Sequence, residues 1–158
     1  MLAKEPTLAE LAEELKSLEI DRFDYEFAWN LGLQIREKAI NRGHDIAIEI
    51  RHGNDVIFAT LVGKATIDNF DWTRRKCAVV HRFQRSSLAV RLEAEQNGYD
   101  FNTRFRLPPA DFAASGGGIP LMLKGGIFIG SVGVSGLPNV EDHRLISDTL
   151  RLHQRSAP

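Results

Sequence analysis

Among the residues able to do chemistry, a group of arginines around Trp72 is the first to consider. At about 100° per residue, Arg74, Arg75, His81, Arg82 and Arg85 share one side of a helical segment with Ala78, while Trp72, Val79 and Phe83 fall opposite. Cations at this spacing repel one another by roughly a few tenths of a kcal/mol per pair. An anionic ligand or an acidic partner would offset that repulsion, and so would acidic neighbours on a solvated face. The sequence leaves these readings open.

A second candidate is the glycine-rich region from Ser115 to His143. Backbone N–H groups of Ser115-Gly116-Gly117-Gly118-Ile119-Pro120 could approach an anion. No Gly-Lys-Ser/Thr follows, as a P-loop requires, and Leu121 stands where a dinucleotide fingerprint needs glycine. A strand-entry turn with close backbone packing is the competing reading. Gly133-Val134-Ser135-Gly136 begins like a nucleophile elbow, but position 137 is leucine. Asp142 and His143 are adjacent, so they could not both serve Ser135 in a triad. Asp142 instead suits the first turn of a helix.

The histidines, His44, His52, His81, His143 and His153, show no i, i+4 pair and no H-E-x-x-H, so the sequence supports no built-in metal site. A single axial haem ligand needs no such spacing, and His81 or His143 could supply one. Cys77 is the sole cysteine, which excludes an intrachain disulfide, a thiolate zinc site and a C-x-x-C motif. It reads as a small buried side chain. The formal charge of −1 gives no global attraction to nucleic acid or anionic lipid.

The elements that must position these groups follow from periodicity and caps. Thr7-x-x-Glu10 is a capping box, and Leu8, Leu11, Ala12, Leu15 and Leu18 follow at helical spacing, predicting a helix over about 7–18. A second helix is expected from Asp24 as N-cap to Gly43, with Ala28, Leu31, Ile35 and Ala39 inward. Ile46, Ile48 and Ile50 then alternate with Ala47, Glu49 and Arg51, and His52-Gly53-Asn54-Asp55 turns the chain into a second strand, Val56–Leu61. The helix of Trp72 is expected from Asp68 to about Arg85, with the Lys76 stem lying along its apolar side.

A third strand is expected at Leu88–Leu92, a loop with a helical turn or two over Glu95–Phe112, and a hairpin of Ile119–Leu123 and Ile127–Ser135 across Lys124-Gly125-Gly126. A last helix starts near Val140, leaving a tail over about 154–158. The expectation is one α/β (α+β) domain over 1–158 with order α-α-β-β-α-β-β-β-α, a five-stranded antiparallel sheet and helices packed on it. No apolar run reaches membrane-spanning length, and Met1–Leu18 carries four glutamates and no secretory h-region, so a cytoplasmic location is expected.

Asp68-Asn69-Phe70-Asp71-Trp72, then Arg75-Lys76, Val79-Val80, Phe83 and Ser86-Ser87, then Gly116-Gly117-Gly118-Ile119-Pro120, and finally Gly130 to Ser135-Gly136-Leu137-Pro138 with Glu141-Asp142-His143, form a connected pattern. It resembles the small proteins grouped with the haem-degrading-domain superfamily, from about Phe23 to Leu150. The resemblance implies a profilin-like fold and a homo-oligomer, and haem binding is attributed to distant relatives.

The expectation is therefore a module holding haem or a small anionic ligand. Its pocket would be built from the Trp72 helix, the Gly116–Pro120 loop and the Ser135–His143 turn. The residues assigned to it are Trp72, Arg75, Lys76, His81, Ser86, Ser87, Gly116, Gly117, Gly118, Ser135, Gly136, Asp142 and His143. Arginines would meet carboxylates and Trp72 would supply an apolar wall. The alternatives are an interaction or accessory protein without catalysis, and a haem-degrading enzyme in which haem and oxygen supply the difficult chemistry. No catalytic residue is assigned.

Overall fold

The structure, a computed structural model, describes residues 4–156. Helix α1 (Leu8–Ser17) begins at the expected capping box, with the Glu10 amide donating to Thr7 Oγ1 and the Thr7 amide donating to Glu10 Oε1. In α2 (Tyr25–Asn41) Asp24 Oδ1 accepts from the Phe27 amide, and the helix buries Ala28, Leu31, Ile35 and Ala39. Gly43 ends it in the left-handed region that favours glycine.

Strands β1 (Ala47–His52) and β2 (Asp55–Leu61) form the expected hairpin, and β3 (Gly118–Leu123) and β4 (Ile127–Ser135) form the other. The sheet is antiparallel with order β2-β1-β4-β3. Strand β1 is therefore central, with Glu49 facing Gly133 and Arg51 facing Ser131 on β4.

Among the described residues the sheet has four strands, not five. The expected strand Leu88–Leu92 lies inside α4 (Ser87–Asn97), which starts where Ser86 Oγ accepts from the Ala89 amide. Its misleading pattern has a physical cause. Leu88, Ala89 and Leu92 pack against Leu11 of α1, while Val90 and Ala94 pack with Val79 and Phe101. A helix buried on two sides loses the single apolar stripe that identifies helices. The expected loop over 95–112 also contains a short helix, α5 (Phe101–Phe105).

Helix α3 (Ile67–Phe83) packs on one sheet face against β1, β3 and β4, whereas α2 and α6 (Asn139–Ser156) cover the other. The main core lies on the α2/α6 side, with Leu31, Ile35, Ile48, Ile50, Val132, Val134 and Ile146 in one cluster. Helix α6 continues through positions assigned to the tail, and 157–158 lie outside the described residues. No helix among the described residues is long and apolar enough to cross a membrane.

Candidate functional site

The residues assigned to one pocket occupy four different places. Most belong to a buried lock between α3, β4 and the start of α6. The Lys76 ammonium lies 3.0 Å from Asp142 Oδ2 and donates to the Val134 carbonyl at 2.9 Å. Both side chains are almost wholly buried. Asp142 also accepts from the amides of Leu137 and Gly136, which fixes the strand-to-helix turn. Burial lowers the Lys76 pKa against the pull of Asp142, and burial raises the Asp142 carboxyl to about 6 against the pull of Lys76.

The Lys76 stem lies along the apolar side of α3 and carries its charged end into the interior. The glycines make room for this arrangement. A Cβ on Gly117 would meet the Val134 carbonyl, Lys76 Nζ and the Asp142 Cβ, one on Gly116 would meet Asn139, and one on Gly118 would meet Ser87 Oγ. Ser87 Oγ accepts from the Gly118 amide at 2.9 Å, while Ser86 serves as the cap of α4. Ser135 is buried at the end of β4. These in-chain hydrogen bonds tie α3, β4 and the start of α6 together. Gly118, Ile119 and Pro120 are part of β3, which shortens the expected glycine loop.

Trp72 and Arg75 lie apart from the lock. Trp72 is exposed rather than inward, and the Arg75 guanidinium stands 4.0 Å from its ring centroid. Positions three apart on a helix are neighbours, so the expectation that these two fall on opposite sides is corrected. Asp71 accepts from both Arg74 and Arg75, Asp111 accepts from Arg74, and Glu93 accepts from Arg85. The stripe is thus largely neutralised within the chain. His143 is separate again, buried on α6 with Nε2 2.6 Å from Glu14 Oε1 of α1. Burial alone would raise the Glu14 pKa, but hydrogen bonding and charge from His143 and Arg151 lower it.

The remaining assigned residue, His81, sits in a different polar cluster on the α3 side of the sheet. Its Nε2 is 2.8 Å from Ser131 Oγ, and its ring meets Phe128 edge-on with centroids 5.0 Å apart. Burial, and then the Arg51 charge, lower the His81 pKa, which favours neutral imidazole at pH 7. Arg51 is held by Glu49, with Nε 2.9 Å from Oε2, and donates to the Asn54 carbonyl. Glu49 is 4% exposed, and its Oε1 has no hydrogen-bond partner among the described residues. Cys77 lies behind the cluster, wholly buried, with its thiol pushed up to about 12 by burial.

This cluster joins an accessible neutral imidazole, a positioned guanidinium, a hydroxyl and an aromatic ring. It can offer a metal centre one nitrogen, in competition with Ser131, and offer an anion one cation. No group of three or more His, Cys, Asp or Glu side chains among the described residues could hold a bare metal ion. Glu49, Arg51, Ser131 and Phe128 were absent from the sequence expectation. The alternation of Ile46, Ile48 and Ile50 with Glu49 and Arg51 does place the latter on one face, but helices cover both faces of this sheet. The face that carries Glu49 and Arg51 is therefore an interior with polar contents.

Comparison with known proteins gives a consistent result. The family described as "Haem degrading protein HbpS-like" matches residues 23–151. A UPF0303 protein of Burkholderia thailandensis is 45% identical over 143 residues, covering 90% of this chain and 87% of its own length. Among solved structures, the Ybr137w protein superposes with a TM-score of 0.88 at 23% identity, covering 97% of this chain and 91% of that one. A PduOC:haem complex superposes with a TM-score of 0.71 at 16% identity, covering 83% and 94%. The last two likenesses concern the fold.

Proposed function

The chain belongs to the HbpS-like family of haem-degrading proteins, and from that premise we propose that it binds haem at the cluster of His81, Arg51, Ser131 and Phe128. The observation that supports this reading is the partly buried imidazole, kept neutral beside a cation. Neutral imidazole is the form that ligates iron. The donor set suits the group: His81 would hold the iron through a ring nitrogen, Arg51 would pair with a carboxylate of the ligand, and Phe128 would offer it an apolar surface. The similarity to a protein crystallised with haem supports the same choice.

Bound haem would supply the iron and oxygen chemistry, and the chain's own residues would bind and orient it. Glu49 holds the Arg51 guanidinium in place, while Ser131 fixes the His81 ring. Cys77 is a poor candidate for covalent chemistry, because its buried thiol stays protonated. Cytoplasmic location and homo-oligomeric assembly belong to the same proposal.

The test is a haemin titration followed by the Soret band. The wild-type protein and His143→Ala should give the same shift, because His143 is enclosed between α6 and α1. His81→Ala should lose it, and Arg51→Ala should weaken binding about tenfold, as expected for one charge-assisted contact. An unchanged Soret shift in His81→Ala would overturn the assignment.

A further inference from the structure

Helix α2 carries a second apolar stripe that the fold buries only in part, the Trp29 ring meeting Phe58 of β2 edge-on with centroids 5.5 Å apart. Its inward side is formed by Ala28, Leu31, Gly32, Ile35 and Ala39. On the outward side Trp29 is 55% exposed, Leu33 39% and Ile40 49%. At about 100° per residue these three fall within about 40° of one another, along three turns of helix. An exposed aromatic and two aliphatics aligned in this way form an association surface rather than scattered surface residues.

The charges flanking the stripe identify what fits it. Around the helix the order is Arg36, then Trp29, Ile40 and Leu33, then Glu26 and Glu37. Arg36, Glu26 and Glu37 are exposed, and none forms an ion pair among the described residues. One flank is therefore basic and the other acidic, with the free charges Arg36 and Glu37 at nearly the same height.

Two copies of such a helix can meet about a two-fold axis in two ways. In an antiparallel pair the axis is perpendicular to the helices, and each flank meets its own copy. Glu26 and Glu37 would then face Glu37 and Glu26, which is repulsive. In a parallel pair the axis runs along the helices, and the basic flank of each copy meets the acidic flank of the other. Arg36 then stands beside Glu37 of the second copy, twice. The acidic flank also borders a cavity of about 910 Å³ whose lining includes Glu26, Asn30, Leu33 and Glu37 together with Arg22 and Lys124.

We infer that the outward face of α2 is a self-association surface, on which a second copy of this chain packs with its α2 parallel, Trp29, Leu33 and Ile40 forming the seam and Arg36 pairing with Glu37 across it. Such a contact is isologous, using the same patch on both copies. It rests on the homo-oligomeric part of the proposed function and gives it a surface, on residues separate from the haem cluster, since α2 lies on the sheet face opposite α3 and His81.

Sedimentation equilibrium of the full chain tests the inference, with circular dichroism confirming that each variant is folded. Trp29→Glu should weaken self-association by about a hundredfold, as for a central aromatic anchor. Arg36→Glu and Glu37→Arg should each weaken it about tenfold, by placing like charges together. The double variant Arg36→Glu/Glu37→Arg exchanges the flanks and should recover most of the loss. A general loss of folding would leave that double variant as weak as the single ones, so recovery is specific to the pairing. A monomeric wild-type protein, association unchanged by Trp29→Glu, or tightening by Glu37→Arg alone would each overturn the parallel arrangement. Haemin binding by the Trp29→Glu variant separates this result from the proposed function: it should persist.

Discussion

The Lys76–Asp142 lock and the Glu49–Arg51–His81 cluster both lie beneath α3, and they differ in how their polar groups are satisfied. In the lock, a backbone carbonyl and two backbone amides complete the ion pair, and glycines let the chain close around it. In the cluster, one buried carboxylate oxygen has no partner among the described residues and the imidazole remains partly open. A satisfied buried network specifies the fold, whereas an incompletely satisfied one beside an accessible group is where a ligand finds unmet bonding capacity. The conspicuous glycines mark the first kind of place.

The sharpest way to break this contrast is to remove one half of the lock. Lys76→Met should cost about 3–5 kcal/mol, because it leaves the Asp142 carboxylate buried without its cation. Replacing both partners, Lys76→Met with Asp142→Leu, should cost less than the sum of the single changes. Urea unfolding midpoints measure both effects. A cost below about 1 kcal/mol for Lys76→Met would show that the pair does not hold α3 to α6.

Loss of His143 is expected to come next in size. His143→Ala removes a buried side chain and its bond to Glu14, at a cost of about 2–3 kcal/mol. It should leave haemin binding unchanged. If haemin binding fell while stability did not, the separation between structural and ligand-facing residues would fail.

These two predictions also show what the sequence made legible. Hairpins, caps and helix ends were readable because they depend on neighbours: Thr7 with Glu10, Asp24 with Phe27, and the Gly125-Gly126 turn. The Lys76–Asp142 pair spans 66 positions and has no local signature. Helix α4 defies the pattern because two of its sides are buried, and Trp72 falls beside Arg75 because positions three apart on a helix are neighbours. The candidate ligand cluster was legible only at His81. Glu49 and Arg51 come from an alternating strand that resembles one with a wet face, and only the packing of α3 over β1 shows otherwise.

A pH series tests the lock more gently. Burial raises the Asp142 pKa to about 6, above its ordinary value near 4. The folded state therefore holds that proton more tightly than the unfolded chain does. The stability arising from it is fully present below about pH 4 and is lost as pH rises through about 6. Relative to Asp142→Asn, the wild-type protein should become less stable across that window. Denaturation midpoints measured from pH 4 to about pH 7 would contradict this if the difference between the two proteins stayed constant.

The smallest expected effect on stability is at His81, and it sharpens the contrast most. A partly open side chain with one hydrogen bond to Ser131 contributes about 0.5–1.5 kcal/mol, so His81→Ala should unfold close to the wild-type midpoint. The same change should abolish the haemin Soret shift. Lys76→Met should do the reverse below its unfolding midpoint, losing much stability while the folded fraction still binds. If His81→Ala cost as much stability as Lys76→Met, the His81 cluster would be a second lock, and Glu49's unpartnered oxygen would mark internal strain rather than readiness for a ligand.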